Sequence, residues 1–214
     1  MIDGPRLNPA SGGAAQSLVV FLHGYGADGN DLIDLGRHFA PLLPHTAFVS
    51  PHAPSPCDGA PYGRHWFPLA EIDPYRLHAG TSQAAPGLDA FLDAELASLG
   101  LADGKLALVG FSQGTMMALQ VAPRRKQAMA GVVGYSGLLA GPEHLKTETR
   151  SKPPVLLVHG EIDQVVPAMA MTAAVRALGQ AEIPVEWHLR PGLQHGIDDE
   201  GLRLGAEFLR RVLG

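Results

Sequence analysis

The sequence has a single cysteine, Cys57, in 214 residues. One thiol closes no internal disulfide, so the fold owes nothing to an oxidising compartment. The stretch Ser55-Pro56-Cys57-Asp58-Gly59 lacks a partner pattern for metal binding or redox exchange and reads as an ordinary free thiol in a loop. Charge is also scarce, at 17% of residues with a formal net charge of −5. That balance gives no electrostatic ground for nucleic-acid binding. The densest basic cluster, Arg124-Arg125-Lys126, is short and reads as a solvated helix end. No apolar run approaches the length needed to cross a bilayer. The opening MIDGPRLNPASGG shows no basic segment followed by an apolar one, as a signal peptide would. The expectation is a soluble cytoplasmic protein with no nucleic-acid partner and no stable membrane insertion.

What the chain does have is a substantial apolar fraction, 46%, enough for a sizeable core in one domain spanning residues 1–214. Short apolar runs at 17–22, 46–50, 105–110, 130–135, 154–159 and 185–189 read as strands. Segments 30–43, 82–99, 113–122, 168–178 and 200–213 have apolar residues at helical spacing. Pro44 stops the first helix, and Pro167 suits the start of the fourth. Alternating strands and helices imply crossover connections, and therefore an α/β fold with a mainly parallel central sheet and helices on both faces. The run PVLLVH at 154–159 is apolar almost throughout, as expected of a strand covered on both faces.

Residues 51–81 break this pattern. They are rich in Pro and Gly, lack a period, and hold Tyr62, Trp66, Phe67 and Tyr75, four of the thirteen aromatic residues. Long irregular segments in compact domains are often binding or lid elements, which makes Trp66 and Phe67 candidate substrate-binding residues. The competing expectation is that both side chains anchor the segment to the core.

Chemistry concentrates at Gly110-Phe111-Ser112-Gln113-Gly114, a G-x-S-x-G pattern between an expected strand and an expected helix. The turn needs glycines because the strained backbone at Ser112 brings neighbouring main chain too close for a Cβ. Such an elbow lifts the Ser112 Oγ clear of the sheet and sets the Gln113 N–H at a helix N-terminus, where an oxyanion would form. A serine hydroxyl requires a base, and in this architecture the orienting acid and the base follow in the order Ser, Asp, His. Asp163 lies just past the 154–159 strand and His195 beyond the 185–189 strand. Parallel strands end on one edge, so Ser112, Asp163 and His195 can converge there as nucleophile, orienter and general base. Glu161 and Asp198 are rivals to Asp163 in weaker positions, and Ser136 reads as a strand-end residue. His23 and His159 read as hydrogen-bonding structural residues near the site. His38, His45, His78 and His144 show no partner pattern. In the turn His23-Gly24-Tyr25-Gly26 after the first strand, glycines free the main chain to turn inward, making the Tyr25 N–H the second candidate oxyanion donor beside Gln113. No metal site is expected, since H-E-x-x-H, paired cysteines and His/Asp clusters at ligand spacing are all missing. No cofactor is implied.

The segments LHGYGADGNDL, GFSQGTMMAL, HGEIDQVVP and the loop around His195, with the pair Trp66-Phe67, resemble the phospholipase/carboxylesterase family of α/β hydrolases, the branch that includes the acyl-protein thioesterases. They run in order from residue 21 to about 197, nearly the whole chain. The resemblance implies an α/β-hydrolase fold, Ser112, Asp163 and His195 as catalytic triad, and the backbone of Tyr25 and Gln113 as oxyanion hole. It also admits a homodimer, for which no interface is legible. Thr115 stands where many members have Gly, and Gln194 precedes His195 where Gly is common, so substrate preference does not transfer. The expected activity is that of a serine carboxylesterase acting on short- to medium-chain carboxylic esters through an acyl-enzyme. Its small-molecule substrate would be an ester or thioester. The alternatives are lysophospholipid or protein S-acyl hydrolysis on the same triad and, from another class, a non-catalytic ligand-binding protein on a hydrolase scaffold.

Overall fold

The computed structural model describes residues 2–57, 62–69 and 74–214, with backbone alone at 74 and 75. Of the irregular segment 51–81, residues 58–61 and 70–73 and the side chain of Tyr75 therefore lie outside the described residues. In chain order the elements are β1 (Arg6–Leu7), β2 (Ser17–Leu22), α1 (Gly29–Leu32), α2 (Leu35–Phe39), β3 (Thr46–Val49), β4 (Ser55–Pro56), β5 (Arg64–His65), α3 (Pro74–Leu99), β6 (Leu106–Phe111), α4 (Gln113–Val121), β7 (Gly131–Tyr135), α5 (Pro142–Glu148), β8 (Val155–Gly160), α6 (Met169–Gln180), β9 (Val185–Arg190) and α7 (Asp199–Leu213). Seven strands form one sheet in the order β1-β3-β2-β6-β7-β8-β9. The short edge strand β1 pairs antiparallel with β3, and every other pair in that sheet is parallel. β4 and β5 make a separate two-stranded ribbon.

Alternation along the central strands sorts the core into two layers, because successive side chains point to opposite faces. Val20, Leu22, Leu106 and Leu108 pack with Leu88 and Leu92 of α3, Met117 of α4 and Leu178 of α6. Val19, Phe21, Ala107 and Val109 pack with Phe39 of α2 and Phe208 and Leu209 of α7. Helices thus cover both faces, and each fully buried Leu or Phe contributes about 1.5–3 kcal/mol. Among the described residues no helix is long and apolar enough to cross a membrane.

The connection order sets the edge on which the candidate site residues lie. From β2 the chain moves outward to β3, then returns to β6 on the other side of β2. A reversal of this kind opens a gap outside the carboxyl ends of the two strands. Loop 23–28 follows β2 and Ser112 follows β6, with Leu22 paired to Gly110 at the rim. Asp163 and His195 follow β8 and β9 on the same edge.

Several elements differ from the sequence reading. Helix α3 begins at Pro74 rather than at 82, so the end of segment 51–81 is helical. Proline suits a first helical position. The early turns bury Leu77 and also Thr81, whose Oγ1 lies 3.0 Å from the Leu77 and His78 carbonyls. A polar residue on the buried face hides the helical period. The helix expected over 30–43 is two short ones, since i to i+3 bonds from Gly36 to Ile33 and from Arg37 to Asp34 tighten the chain between them. β9 leaves Trp187 and Leu189 exposed, because it is the sheet's last strand.

Arg125 is a further correction. Far from a solvated helix end, its guanidinium is buried and bonded to Asp103 at 2.7 Å, to Asp93 at 2.6 Å and to Asp89. Asp89 and Asp93 are one turn apart on α3, so Arg125 ties that helix to the segment after α4. Truncation leaves carboxylates facing one another without a cation, although they keep access to water. Arg125→Met is expected to cost about 2 kcal/mol, seen as a melting temperature lower by about 4–8 °C. An unchanged melting temperature would contradict this reading.

Candidate active site

Ser112 sits at the junction of β6 and α4 with φ 52° and ψ −114°, a conformation that L-residues rarely adopt. Strain of this kind costs about 1–3 kcal/mol and persists only where surrounding contacts over-determine it. Those contacts are specific. The Ser112 N–H donates to the Tyr135 carbonyl on β7 at 2.9 Å, and the Ser112 carbonyl accepts from Thr115 at 3.0 Å and Met116 at 3.2 Å. A Cβ at Gly114 would lie 1.8 Å from the Leu22 carbonyl oxygen, and one at Gly110 would lie 2.5 Å from the Gly114 carbonyl carbon. Only glycine lets α4 begin this close to β2 and β6. Thr115, the departure noted above, is buried with its Oγ1 2.8 Å from the Gly110 carbonyl and 2.9 Å from that of Tyr135. It braces the turn from behind.

Asp163 and His195 meet as a pair. Asp163 Oδ2 is 2.8 Å from His195 Nδ1, and its Oδ1 accepts the Val165 and Val166 N–H groups at 2.8 and 2.9 Å. Burial pushes the Asp163 carboxyl up, but the hydrogen bonds from His195, Val166 and Val165 outweigh it and hold the group below the usual aspartate range. His195 keeps 19% of its side chain exposed, while that of Asp163 is fully covered. The imidazole packs against the Phe111 ring, with centroids 5.0 Å apart, which sets it beside the residue preceding Ser112. Its loop is pinned by the Ile162 N–H on the Leu193 carbonyl at 3.1 Å and by Ser136 Oγ on the Gly196 carbonyl at 3.1 Å.

The rivals have other work. Asp198 caps α7 through the Gly201 N–H and pairs with Arg190, while Glu161 accepts from the Gly192 N–H. His159 is buried, its Nε2 donating to the Val166 carbonyl at 2.8 Å. His23 accepts from the Ala53 N–H at Nε2, 3.0 Å, so its proton resides on Nδ1, donating to the Gly24 carbonyl at 2.8 Å. Burial lowers its pKa and keeps the ring neutral.

Loop 23–28 lies against Ser112, a Cβ at Gly24 falling 3.4 Å from that of Ser112. Gln113 is wholly buried at the start of α4, and the Tyr25 ring is part-exposed in the β2 loop. Trp66 and Phe67 are each only 3% exposed, and the Trp66 indole N–H donates to the His23 carbonyl at 3.0 Å. They anchor their segment and leave little surface for a substrate. Exposed apolar side chains on the site-bearing segments are instead Tyr25, Ile162 and Val165, with Met169 close behind in sequence. Sequence patterns gave no signal for them, because an isolated apolar residue in a loop has no period.

Away from this edge, His78 and His144 stack with centroids 4.2 Å apart and planes 12° apart. With Glu148 they are the group among the described residues close enough to share a cation, an association the sequence did not suggest. Imidazole lone pairs lie in the ring plane, so two near-parallel rings do not aim at one point, and Glu148 is already bonded to Arg124 at 2.6 Å.

A family model described as Phospholipase/Carboxylesterase matches residues 9–213. Esterase YpfH of Escherichia coli is 29% identical over 200 residues, covering 93% of this chain and 84% of that protein. Acyl-protein thioesterase 1 of Saccharomyces cerevisiae is 27% identical over 214 residues, covering 93% of this chain and 94% of that protein. The crystal structure of esterase PE8 superposes with a TM-score of 0.95 at 44% identity, covering 99% of both chains. That of SOBER1 from Arabidopsis thaliana, at 24% identity, shares the fold with a TM-score of 0.82 over 92% of this chain and 99% of that one.

The lowered carboxyl gives a pH test with a definite sign. Ionised Asp163 favours the folded state above the unfolded aspartate value of about 4, and this contribution is lost as pH falls through the lower folded value. The stability difference between wild type and Asp163→Asn, measured by urea unfolding, is expected to shrink from about pH 6 toward about pH 3. A difference independent of pH would contradict the pairing.

Proposed function

The chain belongs to the phospholipase/carboxylesterase family and is a serine ester hydrolase with an α/β-hydrolase fold, and on that premise we propose that it cleaves short- to medium-chain carboxylic esters through Ser112, His195 and Asp163. The observation that carries this assignment is the 2.8 Å bond between Asp163 Oδ2 and His195 Nδ1 on the edge where Ser112 occupies its strained turn. With Nδ1–H donating to the carboxylate, Nε2 is the nitrogen left to accept a proton.

In the proposed reaction His195 Nε2 takes the Ser112 proton as Oγ bonds to the ester carbonyl carbon. The carbonyl π pair moves to oxygen, and the oxyanion accepts from the Tyr25 and Gln113 N–H groups. Asp163 stabilises the imidazolium. Collapse breaks the bond to the alcohol oxygen, which leaves with the proton from His195. Water then repeats the sequence on the acyl-enzyme, giving the acid and restoring Ser112. The apolar part of the substrate is assigned to the exposed side chains of Tyr25, Ile162 and Val165, with the buried Trp66 and Phe67 shaping the segment behind.

Thioester and lysophospholipid cleavage would use the same steps, and the similarity to a yeast protein named acyl-protein thioesterase 1 supports keeping them in the test. Wild type is assayed on aryl esters of graded chain length, an acyl thioester and a lysophospholipid. The highest kcat/KM is expected on short- to medium-chain esters, and a preference for either other class would overturn that part of the reading. Ser112→Ala is expected to lose at least about a thousandfold in kcat, and Asp163→Asn about four orders of magnitude. Full activity in Ser112→Ala would remove the nucleophile assignment.

A further inference from the structure

Nothing in the proposed chemistry uses the side chain of Gln113 or the four residues of segment 64–67, yet together they form one continuous set of bonds across the site. Gln113 Oε1 accepts the Trp66 N–H at 2.8 Å, and its Nε2 donates to the Phe67 carbonyl at 2.7 Å. The Trp66 indole N–H reaches back to the His23 carbonyl at 3.0 Å. Two residues earlier, the Arg64 N–H donates to the Ala27 carbonyl at 2.8 Å, and the Arg64 carbonyl accepts the Gly26 N–H at 2.9 Å. Between them the His65 ring stacks on Tyr25, centroids 5.4 Å apart and planes 4° apart, with Cys57 Sγ 3.6 Å from the His65 Nδ1. Arg64 Nη2 fastens the strap to the Pro54 carbonyl at 2.8 Å.

We propose that residues 64–67 are a strap setting the separation of the two oxyanion donors, and that the Gln113 side chain is its positioning residue. The proposal rests on the reading of Tyr25 and Gln113 N–H as those donors. They come from different strand ends, β2 and β6, and their own residues are the ones the strap holds. One end grips the loop around Tyr25 through Arg64 and His65. The other grips Gln113 by both heteroatoms of its amide. An oxyanion hole works only if its donors are already in place when charge develops, so no reorganisation is needed at that moment. A buried amide satisfied at both atoms by main chain gives that rigidity, and at neutral pH it supplies the donor and the acceptor that a carboxylate or an apolar side chain cannot. Positioning of this kind acts on the tetrahedral state and not on ground-state binding, so it belongs to kcat and not to KM.

The test compares wild type, Gln113→Glu, Gln113→Met and His65→Ala, each checked for folding by its melting transition. Steady-state kinetics are run on one ester and its thionoester, and inhibition by an alkylboronic acid is measured alongside. For the Gln113 variants kcat on the ester is expected to fall about tenfold to a hundredfold, with KM within about twofold and boronate affinity falling in step with kcat. Gln113→Glu is expected to recover toward wild type as pH falls, since a protonated carboxyl can again accept from Trp66 and donate to Phe67, whereas Gln113→Met is not. His65→Ala, at the other end of the strap, is expected to shift kcat in the same direction by a smaller factor. Should Gln113→Glu fail to fold, Gln113→Met and His65→Ala carry the same comparison. A wild-type rate equal on ester and thionoester would remove the oxyanion reading and the strap with it. Strong wild-type discrimination with unchanged kcat and boronate affinity in the folded variants would remove the strap alone.

Discussion

The closeness of three backbones at one corner governs the rest of the structure: the end of β2, the end of β6 and the first turn of α4. Where α4 starts, a single methyl group at position 114 would collide with the Leu22 carbonyl. That approach holds Ser112 in positive φ and brings the N-terminus of α4 beside the loop after β2. The cost of the strained residue is offset by cooperative contacts, among them the Tyr135 carbonyl on one side and the braced Thr115 on the other. Sheet order brings the strand ends to one edge, and the corner sets the half-buried Ser112 there.

A second constraint is electrostatic. Asp163 is covered by protein, which alone would favour its neutral form, and it remains anionic because every oxygen is engaged. Two main-chain N–H groups hold one oxygen and the imidazole holds the other. The carboxylate thereby fixes both the orientation and the tautomer of His195, while Phe111 and the pinned loop 193–196 limit where the ring can go. Geometry on the β6 side and charge on the β8–β9 side are independent devices, and the proposed chemistry needs both.

Much of this was legible in the sequence where local pattern and tertiary environment agree. Strand β2 and helix α4 follow directly from an apolar run and a glycine-flanked serine, and Asp163 and His195 from their places after later strands. Legibility failed where a residue's role is set by a distant partner. Arg125 looks solvated until the carboxylates of α3 are brought to it from 32 and 36 positions away. Thr81 hides the start of α3 by placing a hydroxyl on a buried face. For Trp66 and Phe67 the sequence left substrate contact and core anchor both open, because aromatic residues in an irregular segment have no period, and only the folded chain shows them buried and their main chain bonded to Gln113. The bonds from residues 64–67 to Gln113 and to the loop after β2 were invisible for the same reason, since main-chain partners leave no mark on side-chain pattern.

The central claim is that Ser112 is the activated nucleophile of this edge. A fluorophosphonate forms a stable adduct only with a serine whose proton is removed by a neighbouring base and whose tetrahedral product is held in place. Labelling wild-type protein and mapping the modified peptide by mass spectrometry tests this directly. The account predicts one adduct per chain on Ser112, lost on Ser112→Ala and slowed sharply on Asp163→Asn. An adduct on another serine, or none in a folded protein, would contradict it.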